Sequence, residues 1–154
     1  MNALELRIPP VGLTFLFAIA MAALAWFVPA SIPIPAPFSL LFAMALAAAG
    51  GVVALLGVAA FRKRRTTVNP FTPDRASTLV ATGIYRLSRN PMYLGLLLVL
   101  AGWAAWLAHW VAALMLPAFV AYMNRFQIGP EERALKAKFG REFDAYARAV
   151  RRWL

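Results

Sequence analysis

The 154-residue chain has no cysteine and a single histidine, His109. Disulfides, thiolate nucleophiles and Cys-ligated metals are thereby excluded, and one imidazole is too few for the usual zinc and Ser–His arrangements. Charge is missing in blocks: residues 8–61 and 90–124 hold no Lys, Arg, Asp or Glu. Acidic residues number only 6 against 16 basic ones, and fifteen of the basic ones fall within 62–89 and 125–152. The formal charge of +10 thus belongs to two segments. No general basic surface is implied, so a nucleic-acid partner is not expected. With 62% hydrophobic residues, the composition is that of a multi-spanning membrane protein.

About 20 apolar residues in a helix cross the hydrocarbon core. The uncharged runs divide into four expected spans at about 10–29, 38–61, 92–107 and 109–126. The last two are expected to form a tight hairpin turning near Trp106 to Trp110. Basic residues next to spans mark the cytoplasmic side. Arg62 to Arg65, Arg86, Arg89 and the tail after Arg125 then share that side. Both termini are expected to be cytoplasmic, with the Pro29 to Pro37 turn and His109 opposite, in an inner membrane. The first run is not read as a cleaved signal, because its one basic residue is Arg7 and no small-x-small site closes it. The expected fold is all-α, a single membrane-embedded domain with cytosolic segments 62–91 and 127–154.

Ala43, Ala47 and Gly51 recur every four residues, with Gly50 and Gly57 nearby, as suits close helix packing in lipid. His109, Trp106 and Trp110 sit where an interfacial turn belongs and are read as structural. Beyond Pro130, Leu135, Phe139, Phe143, Tyr146, Val150 and Trp153 form one helical stripe that Gly140 interrupts. The opposite face, with Arg133, Lys136, Arg141, Arg148 and Arg152, is expected of a helix that lies on an anionic membrane surface or covers a cytosolic pocket, or of a solvated basic face. Glu131 and Glu132 open this amphipathic helix, where acidic residues complement the dipole.

The densest polar segment is Gly83-Ile84-Tyr85-Arg86, then Arg89-Asn90-Pro91-Met92-Tyr93-Leu94-Gly95. A helical hairpin, Glu131-Glu132, Phe139-Gly140, Tyr146 and Arg151-Arg152 follow it. In residues and order this resembles the isoprenylcysteine carboxyl methyltransferase and phospholipid methyltransferase superfamily. The resemblance runs from about Thr66 to the C-terminus, with Asn69-Pro70 and Thr82-Gly83 as its lead-in, and leaves out the first two spans. The isoprenylcysteine branch usually has His where Asn90 stands; Asn is similar to the phospholipid-methylating and many bacterial members.

The resemblance implies an enzyme using S-adenosylmethionine, bound through Tyr85, Arg89, Asn90, Pro91, Met92, Tyr93, Leu94, Gly95, Glu131 and Glu132. Arg89, Asn90, Tyr93 and Glu132 are its candidate catalytic residues. The chemistry agrees, because Arg89 offers a planar fork to a carboxylate and either glutamate accepts from an ammonium or ribose hydroxyls. Tyr93 and Leu94 would form an apolar wall, Asn90 supplies donor and acceptor, and Gly95 would leave room for the ligand. Methyl transfer is an in-line displacement that asks mainly for alignment. The expected acceptor is a lipophilic small molecule or lipid, with a carboxylate or thiol nucleophile favoured, and no metal is expected. Two other readings compete. Membrane sterol and enone reductases using NADPH share an Arg-x-Pro-x-Tyr-x-Gly segment, but their following residues and tail differ. A scaffold or transporter would usually place an ionisable residue inside a span, where this chain has only His109.

Overall fold

The computed structural model describes residues 5–63 and 78–154. The expected Asn69-Pro70 lead-in and much of the cytosolic segment 62–91 lie outside the described residues. Helices α1 (Pro10–Phe27), α2 (Ala36–Lys63), α3 (Pro91–Leu107) and α4 (Trp110–Tyr122) make up the apolar body. Helices α5 (Gly129–Phe139) and α6 (Arg141–Ala149) follow. Among the described residues there is no strand, only one isolated bridge between Ser31 and His109.

Three helical stretches are long and apolar enough to cross a membrane: α1, α2 and the continuous stretch Trp110–Phe139. In the last of these the uncharged part ends before Arg125. Together they make this an integral membrane protein. The fourth apolar helix, α3, has 17 residues. It sits centrally, with α2 on one side and α1 and α4 on the other. The core lies between α1, α3 and α4, around Leu13, Met21, Leu100, Ala104 and Phe119.

On the other side, α2 and α3 touch backbone to backbone. A Cβ on Gly50 would lie 2.6 Å from the Gly95 carbonyl oxygen, and one on Gly95 the same distance from that of Gly50. Gly102 meets the Ala43 oxygen at 2.7 Å in the same sense, and Gly57 meets the Met92 side chain. Lipid tails are as apolar as Leu, so helices in a bilayer gain from such close approach rather than from hydrophobic burial. Ala43 and Ala47 both meet Gly102, and Gly50 and Gly57 continue the contact, whereas Gly51 faces open space. Of the expected stripe Ala43, Ala47 and Gly51, the last is corrected: the seam continues through Gly50.

At one end the connections are pinned by backbone bonds. The Ile32 N–H donates to the Ala108 carbonyl and the Trp110 N–H to that of Ala30. Ala108 adopts a left-handed conformation, φ 46°, which turns α3 into α4. His109 caps α4: its Nδ1 accepts from the Ala112 N–H, and its Nε2 lies 2.8 Å from the Val28 oxygen. At the opposite end, where α1 begins, the Leu6 N–H donates to the Phe126 oxygen.

The helix that starts at Trp110 does not stop near residue 126. It passes through a π-helical turn, Met123–Ile128, directly into α5, the Gly129 N–H donating five residues back to Asn124. Pro130, which lacks an N–H, falls in the first turn of α5, where none is needed. The tail after Pro130 is two helices, broken where the sequence stripe is interrupted: Gly140 has φ +52° and ends α5.

Candidate functional site

The site builds up at the end of the body where α2 ends and α3 begins. A short 3₁₀ turn, Gly83–Arg86, precedes it, and Gly83 takes φ +63°, open to glycine at little cost. That turn buries the Tyr85 ring edge-on against Phe61 at the end of α2, with 5.4 Å between centroids. Pro91 then starts α3, fully buried, and one turn of helix carries Tyr93 inward.

A cavity of about 90 Å³ lies between these elements, lined by Phe61, Tyr85, Arg89, Asn90, Tyr93 and Glu131, with Tyr146 and Leu135 from the tail. Met92 and residues 78–80 complete the wall. Glu131 is its carboxylate among the described residues. Its Oε1 accepts from the Tyr93 hydroxyl and from the Gln127 Nε2. Gln127 also donates to the Tyr93 oxygen at 3.3 Å. Burial raises the Glu131 carboxyl to about 7; the bonds from Tyr93 and Gln127 oppose that rise and the nearby charge of Glu132 adds to it. The Tyr85 phenol is held above its usual range by burial, then by Tyr146 and Glu131.

Glu132 faces a different set of partners. Its carboxylate takes the Arg89 Nη2 at 2.8 Å and both Nε and Nη2 of Arg152. Burial alone would raise its proton affinity, but the hydrogen bonds and charges of Arg152 and Arg89 outweigh burial and hold it below the usual range. Arg89 is drawn further into the tail. Its Nη1 donates to the carbonyls of Ala147, 2.8 Å, and Val150, 2.6 Å, and its backbone N–H to Arg151. Asn90 Nδ2 and Ser88 Oγ both donate to the Arg152 carbonyl, and the Trp153 indole donates to Asn124. The last residues are thus stitched across the start of α3. Tyr146 adds a bond from its hydroxyl to the Tyr85 carbonyl.

The sequence candidates therefore separate into three groups. Tyr85, Arg89, Asn90, Met92, Tyr93 and Glu131 line one cavity. Glu132 sits beside it, engaged by two arginines. Pro91, Leu94 and Gly95 are buried, with Gly95 against Gly50 and Ala54 of α2, so the helix crossing accounts for this glycine. Sequence reasoning assigned no role to Gln127 or Phe61, and placed Arg152 on the basic face of the tail and in the Arg151-Arg152 pair of the resemblance, without a partner. Gln127 gave no signal, because the π-helical turn that brings it inward leaves no mark in the apolar period.

The donor set suits S-adenosylmethionine in kind: a carboxylate for an ammonium or ribose, aromatic faces for a base, and a guanidinium whose buried Nε has no partner among the described residues. The cavity is small beside the roughly 300–1,000 Å³ of ordinary ligand pockets, so its walls must part to admit such a molecule.

Comparison with known proteins bears on the same segment. A protein of Haemophilus influenzae, described only as uncharacterized, is 48% identical over 63 residues, all of its own length and 41% of this chain. No solved structure matches. Residues 38–142, which run from α2 through the cavity to the start of α6, match the phospholipid methyltransferase family. The chain belongs to that family, as a membrane methyltransferase.

Proposed function

We propose that this protein transfers a methyl group from S-adenosylmethionine to a lipophilic acceptor at the cytosolic edge of an inner membrane, with both termini cytoplasmic and α3 crossing as a fourth span. The observation that carries this reading is the pair of neighbouring glutamates with opposite surroundings. Glu131 lines the cavity half-buried, its Oε1 held by Tyr93 and Gln127 and facing no cationic side chain in an ion pair among the described residues, whereas Glu132 is paired with Arg89 and Arg152.

Glu131 is then the glutamate that meets the cofactor's cationic part, and Tyr93 and Gln127 hold its carboxylate in place. Tyr85, Phe61 and Tyr146 supply apolar and aromatic wall, and Asn90 fixes the tail that closes over them. Arg89 and Glu132 act as positioning residues, because their bonds go to the tail. When bound, S-adenosylmethionine supplies an electrophilic methyl carbon, taken by the acceptor's lone pair as the carbon–sulfur bond breaks toward sulfur. The protein aligns the two partners and excludes water. A carboxylate or thiol acceptor is favoured, since neither demands a strong base.

The reading is tested by incubating purified protein with methyl-labelled S-adenosylmethionine and a panel of apolar carboxylates, thiols and amines in bilayer discs. Label should pass to an acid or thiol and be lost in Glu131→Gln. Transfer to amines far above the others would overturn the acceptor preference, and NADPH oxidation without label transfer would point to the reductase.

A further inference from the structure

A groove of about 710 Å³ opens between α1 and α3, away from the polar cavity. Val11, Ala18 and Ala22 of α1 and Leu96, Leu100 and Trp103 of α3 line it, and no charged residue does. Helix α1 packs mainly on α3 and α4, and α2 mainly on α3, and the groove is partly open rather than enclosed. A narrower space of about 230 Å³ continues it, sharing Val11 and Leu96 with the groove. Its other wall residues include Met92 and Tyr93, which also line the polar cavity. One apolar path thus runs from Trp103 to the Tyr93 ring.

We infer that this groove holds a single hydrocarbon tail of the methyl acceptor, with the acceptor's polar end at Tyr93 and the tail lying along α1 toward Trp103. The inference rests on reading the polar cavity as the methyl-transfer site. A second protein helix does not suit the path, since a helix is about 10–12 Å across and cannot follow the groove into its narrow part. The groove's volume falls within the roughly 300–1,000 Å³ of small-molecule sites. Moving a tail from bilayer to groove gains little hydrophobic energy, because both are apolar. Shape and the polar end must therefore select the ligand, and α1 keeps its wall low with Ala18, Ala22 and Ala23. The Trp103 indole, donating to the Ala18 carbonyl at 3.0 Å, ties the two walls together. Helix α1, which supplies this wall, precedes the segment 38–142 that matches the family.

The test uses the full chain in bilayer discs and a palmitic acid carrying a mid-chain diazirine, with labelled residues mapped by mass spectrometry. Labelling should concentrate on the facing residues of α1 and α3, saturate, and be competed by plain palmitic acid but not by a diacyl phospholipid. In Ala22→Trp, and in Ala23→Phe at an exposed position of the same wall, it should fall about tenfold by steric exclusion. S-adenosylhomocysteine binding should be unchanged in both variants. Unsaturable labelling spread over the outer face of α2, or crosslinks between two copies at the groove, would overturn the inference. Saturable labelling without any S-adenosylhomocysteine binding would overturn the methyl-transfer reading and leave the tail site standing.

Discussion

The α2–α3 seam and the polar end of α3 are one helical turn apart, yet they cohere by different means. In the seam, backbone meets backbone at Gly50, Gly95 and Gly102, and no adjustable atom lies between. At the polar end, Arg89, Glu132 and Arg152 join the tail to α3 through ion-paired side chains. The candidate cavity is thus anchored on a backbone seam and closed by a tail held through side chains.

The largest effect should come from filling the seam. In Gly95→Leu the new Cβ would start 2.6 Å from a partner backbone oxygen, and a cost above about 3 kcal/mol is expected. Size-exclusion chromatography should show little monodisperse protein. At the polar end, Glu132→Ala leaves two arginines without their anion. Its expected cost is about 2–3 kcal/mol, below that of a fully buried pair because Arg152 is 38% exposed. A lowered unfolding temperature and faster proteolysis after residue 140 would register it.

Acidity gives a third, smaller effect. Folded Glu131 keeps its proton up to about 7, while the unfolded chain releases it near 4.5. Between those values the folded state binds more protons, so this group's contribution is fully present below 4.5 and is lost as pH rises through 7. A cation bound beside Glu131 favours the carboxylate. Affinity for S-adenosylmethionine should therefore drop by roughly tenfold per pH unit below neutrality, a dependence absent in Glu131→Gln. Calorimetry at several pH values would measure both. The smallest effect belongs to Gly51→Ala, where nothing lies within 4 Å of the added atom; stability should change by less than about 0.5 kcal/mol.

Much of the body could be read from the absence of charge. The first two uncharged runs are occupied by α1 and α2, and Asn90-Pro91 marks where α3 begins. What escaped the sequence depends on backbone register. The seam uses Gly50 and not Gly51, a distinction that small residues on adjacent positions conceal. The π-helical turn rotates Gln127 and Glu131 onto the Tyr93 hydroxyl, a rotation no periodicity encodes. Helix α6 ends at Ala149, so Arg152 lies beyond the helix and turns back to Glu132, a reach that the helical stripe does not encode. Of the candidate site, the residues that reach the cavity from one segment, Tyr85 to Tyr93, were legible together. The division of labour between the two glutamates was not, because it is set by partners distant in the chain.

Equilibrium binding of S-adenosylhomocysteine and of NADPH to the purified protein, alongside Glu131→Gln and Gly51→Ala, is the most direct test of a cofactor held at Glu131. S-adenosylhomocysteine should bind to the unaltered chain and to Gly51→Ala alike, and should bind Glu131→Gln weakly. Binding of NADPH alone, or S-adenosylhomocysteine affinity indifferent to Glu131, would contradict it.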